Sequence, residues 1–73
     1  MIEVRLFATF RHGREKIYMF PGDQFKVAGE VLEHFGILPE DVSIYLINGR
    51  HSKVNASIKD GDIIALFPPV GGG

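Results

Sequence analysis

From Ile2 to Phe10 the even positions Ile2, Val4, Leu6, Ala8 and Phe10 are all apolar, while the odd ones read Glu3, Arg5, Phe7 and Thr9. A period of two predicts a half-buried strand across these residues. Arg11 to Glu15 places Gly13 among charged residues and reads as a hairpin loop. Lys16 to Phe20 then returns as a second strand that stops at Pro21-Gly22. Next, Val27, Ala28, Val31, Leu32 and Phe35 recur at helical spacing and fill an arc of ~140°, with Lys26, Glu30, Glu33 and His34 outside it. One amphipathic helix is predicted. Gly36 suits its left-handed C-cap, Pro39 follows where prolines stop helices, and Asp23 is the expected N-cap, although Lys26 stands where a capping box would place Glu or Gln. Ser43 to Ile47 is rich in β-formers and leads into Asn48-Gly49, the strongest pair for a type I′ turn, so a short strand is expected from Arg50 to Val54. Lys59-Asp60-Gly61-Asp62 is a turn, and Ile63 to Phe67 is a continuous apolar run suited to a central strand. Pro68-Pro69 ends that strand because proline has no N–H to give a ladder.

A hairpin, a helix across one face, a second hairpin and a final strand is the α+β order of the β-grasp, or ubiquitin-like, fold. It has a mixed sheet of about five strands whose first and last members pair in parallel at the centre. Both of those strands are apolar enough for that place. A split βαβ sandwich would need a second helix, and no second helical pattern exists. The expected organisation is one domain over residues 1–67 followed by a flexible tail over residues 68–73.

With 73 residues the chain rarely leaves room for an enclosed substrate pocket beside a packed core, so catalysis by one isolated copy is not expected. Apolar residues at 45% and charged residues at 23% are globular values, and they exclude a disordered chain. The absence of cysteine excludes disulfides and thiol catalysis and fits a reducing compartment. Eight Lys and Arg face nine Asp and Glu, with five of each sign in residues 1–36. No basic arm for nucleic acid and no polybasic membrane anchor is present. The longest apolar run, Ile63 to Val70, counts eight residues, too few to span a bilayer. Glu3 and Arg5 fall where a signal peptide needs apolar residues, so the expected location is cytoplasmic.

Most side chains with chemical potential have ordinary explanations. His12, His34 and His51 have no pairing at metal-ligand spacing and are expected at the surface. Asp60 and Asp62 around Gly61 are accounted for as turn residues. No helix follows Gly71 to Gly73, so these glycines cannot form a phosphate loop. Phe7 is different. It is the sole large apolar side chain on the charged face of the first strand, and Ala65 and Phe67 of the last strand fall on the same face, which suggests a docking patch.

The end of the chain, Pro68-Pro69-Val70-Gly71-Gly72-Gly73, is the sharpest signal. Terminal glycines in general are frayed ends or cloning remnants. Here the prolines stiffen the exit from the sheet, the glycines make the end thin enough for a narrow channel, and six residues reach ~20 Å. At the tip is one carboxylate with no Cβ to hinder attack on its carbonyl carbon. A carboxylate is a poor acyl donor, so a partner must first make it a mixed anhydride such as an acyl-adenylate. Sulfur as the nucleophile leads to a thiocarboxylate, and an amine leads to an amide conjugate. The residues alone leave both open.

Taken together, Met1-Ile2-Glu3-Val4 with Phe7-Ala8, Gly29-Glu30-Val31-Leu32, Ile47-Asn48-Gly49-Arg50, Lys59-Asp60-Gly61-Asp62 and Phe67-Pro68-Pro69-Val70-Gly71-Gly72-Gly73 resemble the MoaD/ThiS sulfur-carrier family over essentially the whole chain. Phe-Pro-Pro-Val is most similar to its molybdopterin synthase small subunits. The resemblance implies that Gly73 bears the adenylate and then the thiocarboxylate, with Gly72 the second glycine of the functional pair. Phe7, Ala65, Phe67, Pro68, Pro69, Val70 and Gly71 would meet partners. Gly71 stands where the family commonly has alanine or serine, and Val27 where it often has threonine. The implied partners are the large synthase subunit, in a heterotetramer built from a small subunit that is monomeric when free, and a ubiquitin-activating-type adenylyltransferase. That enzyme would consume the ATP, and this chain would bind no cofactor. The alternatives are a ubiquitin-like modifier, a carrier for tRNA thiolation or thiamin synthesis, or an interaction module whose tail is inert.

Overall fold

A computed structural model describes residues 1–69. Five strands, β1 (Ile2–Leu6), β2 (Ile17–Phe20), β3 (Ile44–Ile47), β4 (Arg50–His51) and β5 (Ile63–Phe67), form one sheet in the order β2-β1-β5-β3-β4. The helix α1 (Ala28–Phe35) lies across one face. β1 and β5 pair in parallel at the centre with Leu6 opposite Leu66, and both neighbours run antiparallel to them. This is the expected β-grasp.

The core forms from the helix-side residues of the central strands and the inner face of α1. Ile2, Val4, Leu6, Ile64 and Leu66 are fully buried, and Ala28, Val31 and Leu32 close over them. Transfer of each such aliphatic side chain from water contributes about 1.5–3 kcal/mol. Tyr45 inserts its ring into this core, and its hydroxyl donates to the Ala28 carbonyl at 2.7 Å. Burial raises its phenol pKa well above the ordinary value.

The structure departs from the sequence pattern in four places. β1 ends at Leu6, because Ala8 takes φ +52° and starts a single 3-10 turn, Ala8–Arg11. Phe10 keeps its expected burial from that turn. The N-cap of α1 is Val27, not Asp23, and Val27 is exposed where the helical arc placed it inside. Valine has no side-chain acceptor, so the helix start is held in other ways. Glu30 Oε1 accepts from the backbone N–H groups of Lys26 at 2.6 Å and Val27 at 3.1 Å. The N–H groups of Ala28 and Gly29 donate to the carbonyls of Ala56 (2.9 Å) and Val54 (2.8 Å). β2 begins at Ile17, one residue late. β4 has only two residues: the Ser52 N–H still donates to the Tyr45 carbonyl of β3 at 2.9 Å, but the chain beyond it leaves the edge to make those helix-capping contacts.

Other expectations hold. Asn48 and Gly49 both have positive φ, +53° and +81°, as a type I′ turn requires. Gly36, at φ +70°, caps α1 and donates to the Glu33 carbonyl at 3.1 Å. No helix among the described residues is long and apolar enough to cross a membrane.

Candidate functional site

The parallel register of β1 and β5 brings Phe7 and Phe67 together at one end of the sheet. Leu6 is opposite Leu66, so the next residues of each strand are neighbours on the face away from α1. The Phe7 N–H donates to the Leu66 carbonyl at 3.2 Å, and the two rings stack with centroids 4.2 Å apart and planes 11° from parallel. The Arg11 guanidinium lies 5.3 Å from the centre of the Phe7 ring, while its Nε donates to the Leu6 carbonyl at 2.8 Å. A cation is thereby fixed over an aromatic surface. Each phenylalanine is half-buried.

Beside this stack is a groove of about 580 Å³, with Ala8 and Thr9 on one wall, Ser43 and Ile44 on the other, and Phe67, Pro68 and Pro69 between them. The positive φ of Ala8 creates the first wall by turning the chain away from the sheet. The second is held by the Ser43 N–H, which donates to the Phe67 carbonyl at 2.9 Å, and by pairing of Ile44 with Phe67. Ala65 is half-buried on the same face, between Arg5 of β1 and Leu46 of β3. An apolar surface thus surrounds the point where the chain leaves the central strand.

Of the residues singled out from sequence, Phe7, Ala65, Phe67, Pro68 and Pro69 are brought together here. Val70, Gly71, Gly72 and Gly73 lie outside the described residues. Ala8, Thr9, Ser43 and Ile44 were not anticipated. Ile44 was within reach, because the β3–β5 register puts it opposite Phe67; Ala8 and Thr9 were hidden by an alternation that suggested continued strand.

The ionisable groups with shifted pKa values lie elsewhere. Asp60 is held below the ordinary carboxylate range by a hydrogen bond and charge attraction from the Met1 ammonium, 2.5 Å away. Glu30 is held low chiefly by the Lys26 N–H, then by that of Val27. Asp62 accepts from the Lys59 N–H at 2.8 Å and the Asn48 amide at 2.9 Å, and Asn48 in turn accepts from the Ile63 N–H at 2.9 Å. Asp62 therefore does the turn work expected of it, whereas the Asp60 side chain is taken up chiefly by the amino terminus. His12, His34 and His51 are exposed. No group of three or more His, Cys, Asp or Glu among the described residues is placed to hold a metal. The groove has no acid, base or nucleophile with a perturbed pKa; what it offers is apolar contact area around a chain exit.

A family model described as the ThiS family matches residues 4–73. Small archaeal modifier protein 3 of Haloferax volcanii is 35% identical over 91 aligned positions, covering 99% of this chain and 98% of that protein. The crystal structure of SAMP1 from Haloferax volcanii superposes with a TM-score of 0.73 at 27% identity, covering 99% of this chain and 98% of that one. Subunit 1 of the molybdopterin-converting factor of Helicobacter pylori, solved in a complex with subunit 2, is similar at a TM-score of 0.60 and 27% identity, covering 99% and 97%.

Proposed function

This chain belongs to the ThiS family, and from that premise we propose that it is a sulfur carrier, the small subunit of a molybdopterin synthase, whose Gly73 carboxylate is the working group. An adenylyltransferase of the ubiquitin-activating type joins that carboxylate to the AMP part of ATP and releases pyrophosphate. Attack by the outer sulfur of a partner's persulfide at the carbonyl carbon expels AMP and forms an acyl disulfide; a second thiol then reduces the S–S bond, leaving the thiocarboxylate on Gly73 and a disulfide between the two thiols. The large synthase subunit then takes up the tail, and the sulfur passes to a pterin precursor of the molybdenum or tungsten cofactor.

One observation carries this reading: the apolar groove and the Phe7–Phe67 stack surround Pro68 and Pro69, where the chain leaves the centre of the sheet. A partner seated there receives the tail from a fixed starting point. Each proline removes a backbone donor, so Pro68 and Pro69 do not extend the β5 ladder. Glycines at the tip suit a narrow active-site channel, since without Cβ atoms the backbone approaches the partner closely. The complex formed by the Helicobacter pylori relative supports a partner subunit of this kind.

A second reading is favoured by the 35% identical modifier protein. There the same adenylate is attacked by a lysine amine, and the product is an isopeptide. Both readings share the first step. Incubation with the adenylyltransferase and ATP is expected to give an AMP adduct that disappears when Gly72 and Gly73 are deleted. Subsequent addition of a sulfur donor and the large subunit distinguishes them, because only the carrier converts the pterin precursor. Unchanged activity of the deletion variant would leave the inert-tail module as the correct reading.

A further inference from the structure

β2 is an edge strand, and its outward side is open. The Leu6 N–H donates to the Lys16 carbonyl at 2.8 Å, while the N–H groups of Glu3 and Phe7 turn the other way, to β5-side carbonyls at 3.0 and 3.2 Å. The β1–β2 register continues this alternation, so Tyr18 and Phe20 bond toward β1, and the N–H and C=O groups of Ile17 and Met19 point away from the sheet. Proteins commonly blunt such edges with a charge, a proline or a bulge within the strand. Ile17-Tyr18-Met19-Phe20 has none of these between Lys16 and Pro21. The opposite edge strand has only two residues and offers no comparable template.

The side chains flanking this edge suit an added strand on both faces. Ile17 and Met19 are 52% and 51% exposed on the open face of the sheet. On the helix face Tyr18 and Phe20 are half-buried in an aromatic cluster, with Tyr18 4.9 Å from Phe35 and Phe20 4.9 Å from His34. The loop entering β2 carries Arg11, Arg14 and Lys16 against the single carboxylate of Glu15. Arg14 is held at the helix end by the carbonyls of Phe10 (3.3 Å) and Phe35 (2.8 Å). Hydrogen bonds to carbonyls leave its charge uncompensated, and Lys16 is exposed.

We propose that the free edge of β2 is a strand-addition site for an extended apolar segment of a partner protein, flanked by carboxylates that face the Arg11–Lys16 loop. Main-chain bonds to Ile17 and Met19 supply affinity, alternate apolar side chains fill the two faces, and the basic loop selects acidic flanks. The edge of β2 lies outside the groove at the chain exit, but the two surfaces meet at Arg11, which covers the Phe7 ring and also belongs to the basic loop.

The test uses the full chain and an alternating valine–threonine peptide with aspartates at both ends, beside the same peptide ending in lysines. The acidic peptide is expected to shift the amide resonances of Ile17 to Phe20, slow exchange at Ile17 and Met19, and bind at least about tenfold more tightly than the lysine peptide. Met19→Pro removes only an outward N–H, and Met19→Lys puts a charge on the edge; each is expected to weaken binding by about tenfold or more while the protein stays folded. Lys16→Glu should reverse the preference between the peptides. Resonance shifts confined to Phe7, Phe67 and the groove, equal affinity for the two peptides, or a concentration-dependent dimer paired through β2 would overturn the proposal.

Discussion

Phe7→Ala separates the two roles of the aromatic stack. Its rings, 4.2 Å apart and nearly parallel, are expected to contribute about 0.5–1.5 kcal/mol beyond buried area. The Arg11 guanidinium over the ring adds about 0.5–1 kcal/mol. Phe7 is half-buried, so removing the ring gives up about 1 kcal/mol of transfer free energy. The sum is about 2–3.5 kcal/mol, against a total stability of ~4–10 kcal/mol for a chain of this length. The variant therefore stays folded and melts at least about 10 °C lower. Docking is affected separately. Truncating a central aromatic anchor costs about 2 kcal/mol of binding, so affinity for the large subunit and kcat/KM for adenylation should each fall ~30-fold at temperatures where the variant is fully folded. Calorimetry of the isolated chain and titration against each partner give the two numbers. A drop in stability of the expected size with unchanged partner affinity would show the stack to be structural only, and would remove this face from the docking surface.

Other consequences can be measured on the isolated chain. Tyr45→Phe removes the buried hydroxyl bond to the Ala28 carbonyl and should lower stability by about 1–2 kcal/mol in urea unfolding, with no effect on loading of the tail. Gly36→Ala forces a Cβ into a left-handed backbone conformation and should cost about 1 kcal/mol by the same assay. Glu30 and Asp60 both have lowered carboxyl pKa values in the folded chain. The stability they confer is thus complete above the ordinary carboxylate range and lost as pH falls through the depressed folded values. The urea midpoint should drop as pH falls below about 4, and Glu30→Gln, which keeps an acceptor but does not titrate, should make that drop shallower.

The parts of the fold that could be read from sequence are those specified locally. The continuous apolar run of β5 forced it to the sheet centre, Asn48-Gly49 dictated its turn through positive φ, and Gly36 marked the end of α1. Three features did not follow from local pattern. The start of α1 is satisfied by carbonyls of Val54 and Ala56, more than twenty residues away, so Asp23 looked like a cap without serving as one. β4 is short for the same reason. Phe10 keeps strand parity although it belongs to a 3-10 turn, because an apolar position reports burial and not backbone conformation, while Ala8 in the same turn is exposed. The candidate site was legible where a register defined it. Phe7, Ala65 and Phe67 followed from parallel pairing of the end strands, whereas the groove wall at Ala8 and Thr9 required the backbone reversal at Ala8.

Whether the chain carries sulfur is decided by the intact mass of the protein isolated from its own cells, followed by fragmentation of its C-terminal peptide. A sulfur carrier yields a population in which one oxygen of the Gly73 carboxylate is replaced by sulfur, reverting to the plain carboxylate after reaction with a thiol-directed alkylating agent and hydrolysis. An unmodified Gly73 in cells that are actively making the cofactor, or Gly73 found only in isopeptide linkage to lysines of other proteins, would contradict the carrier function.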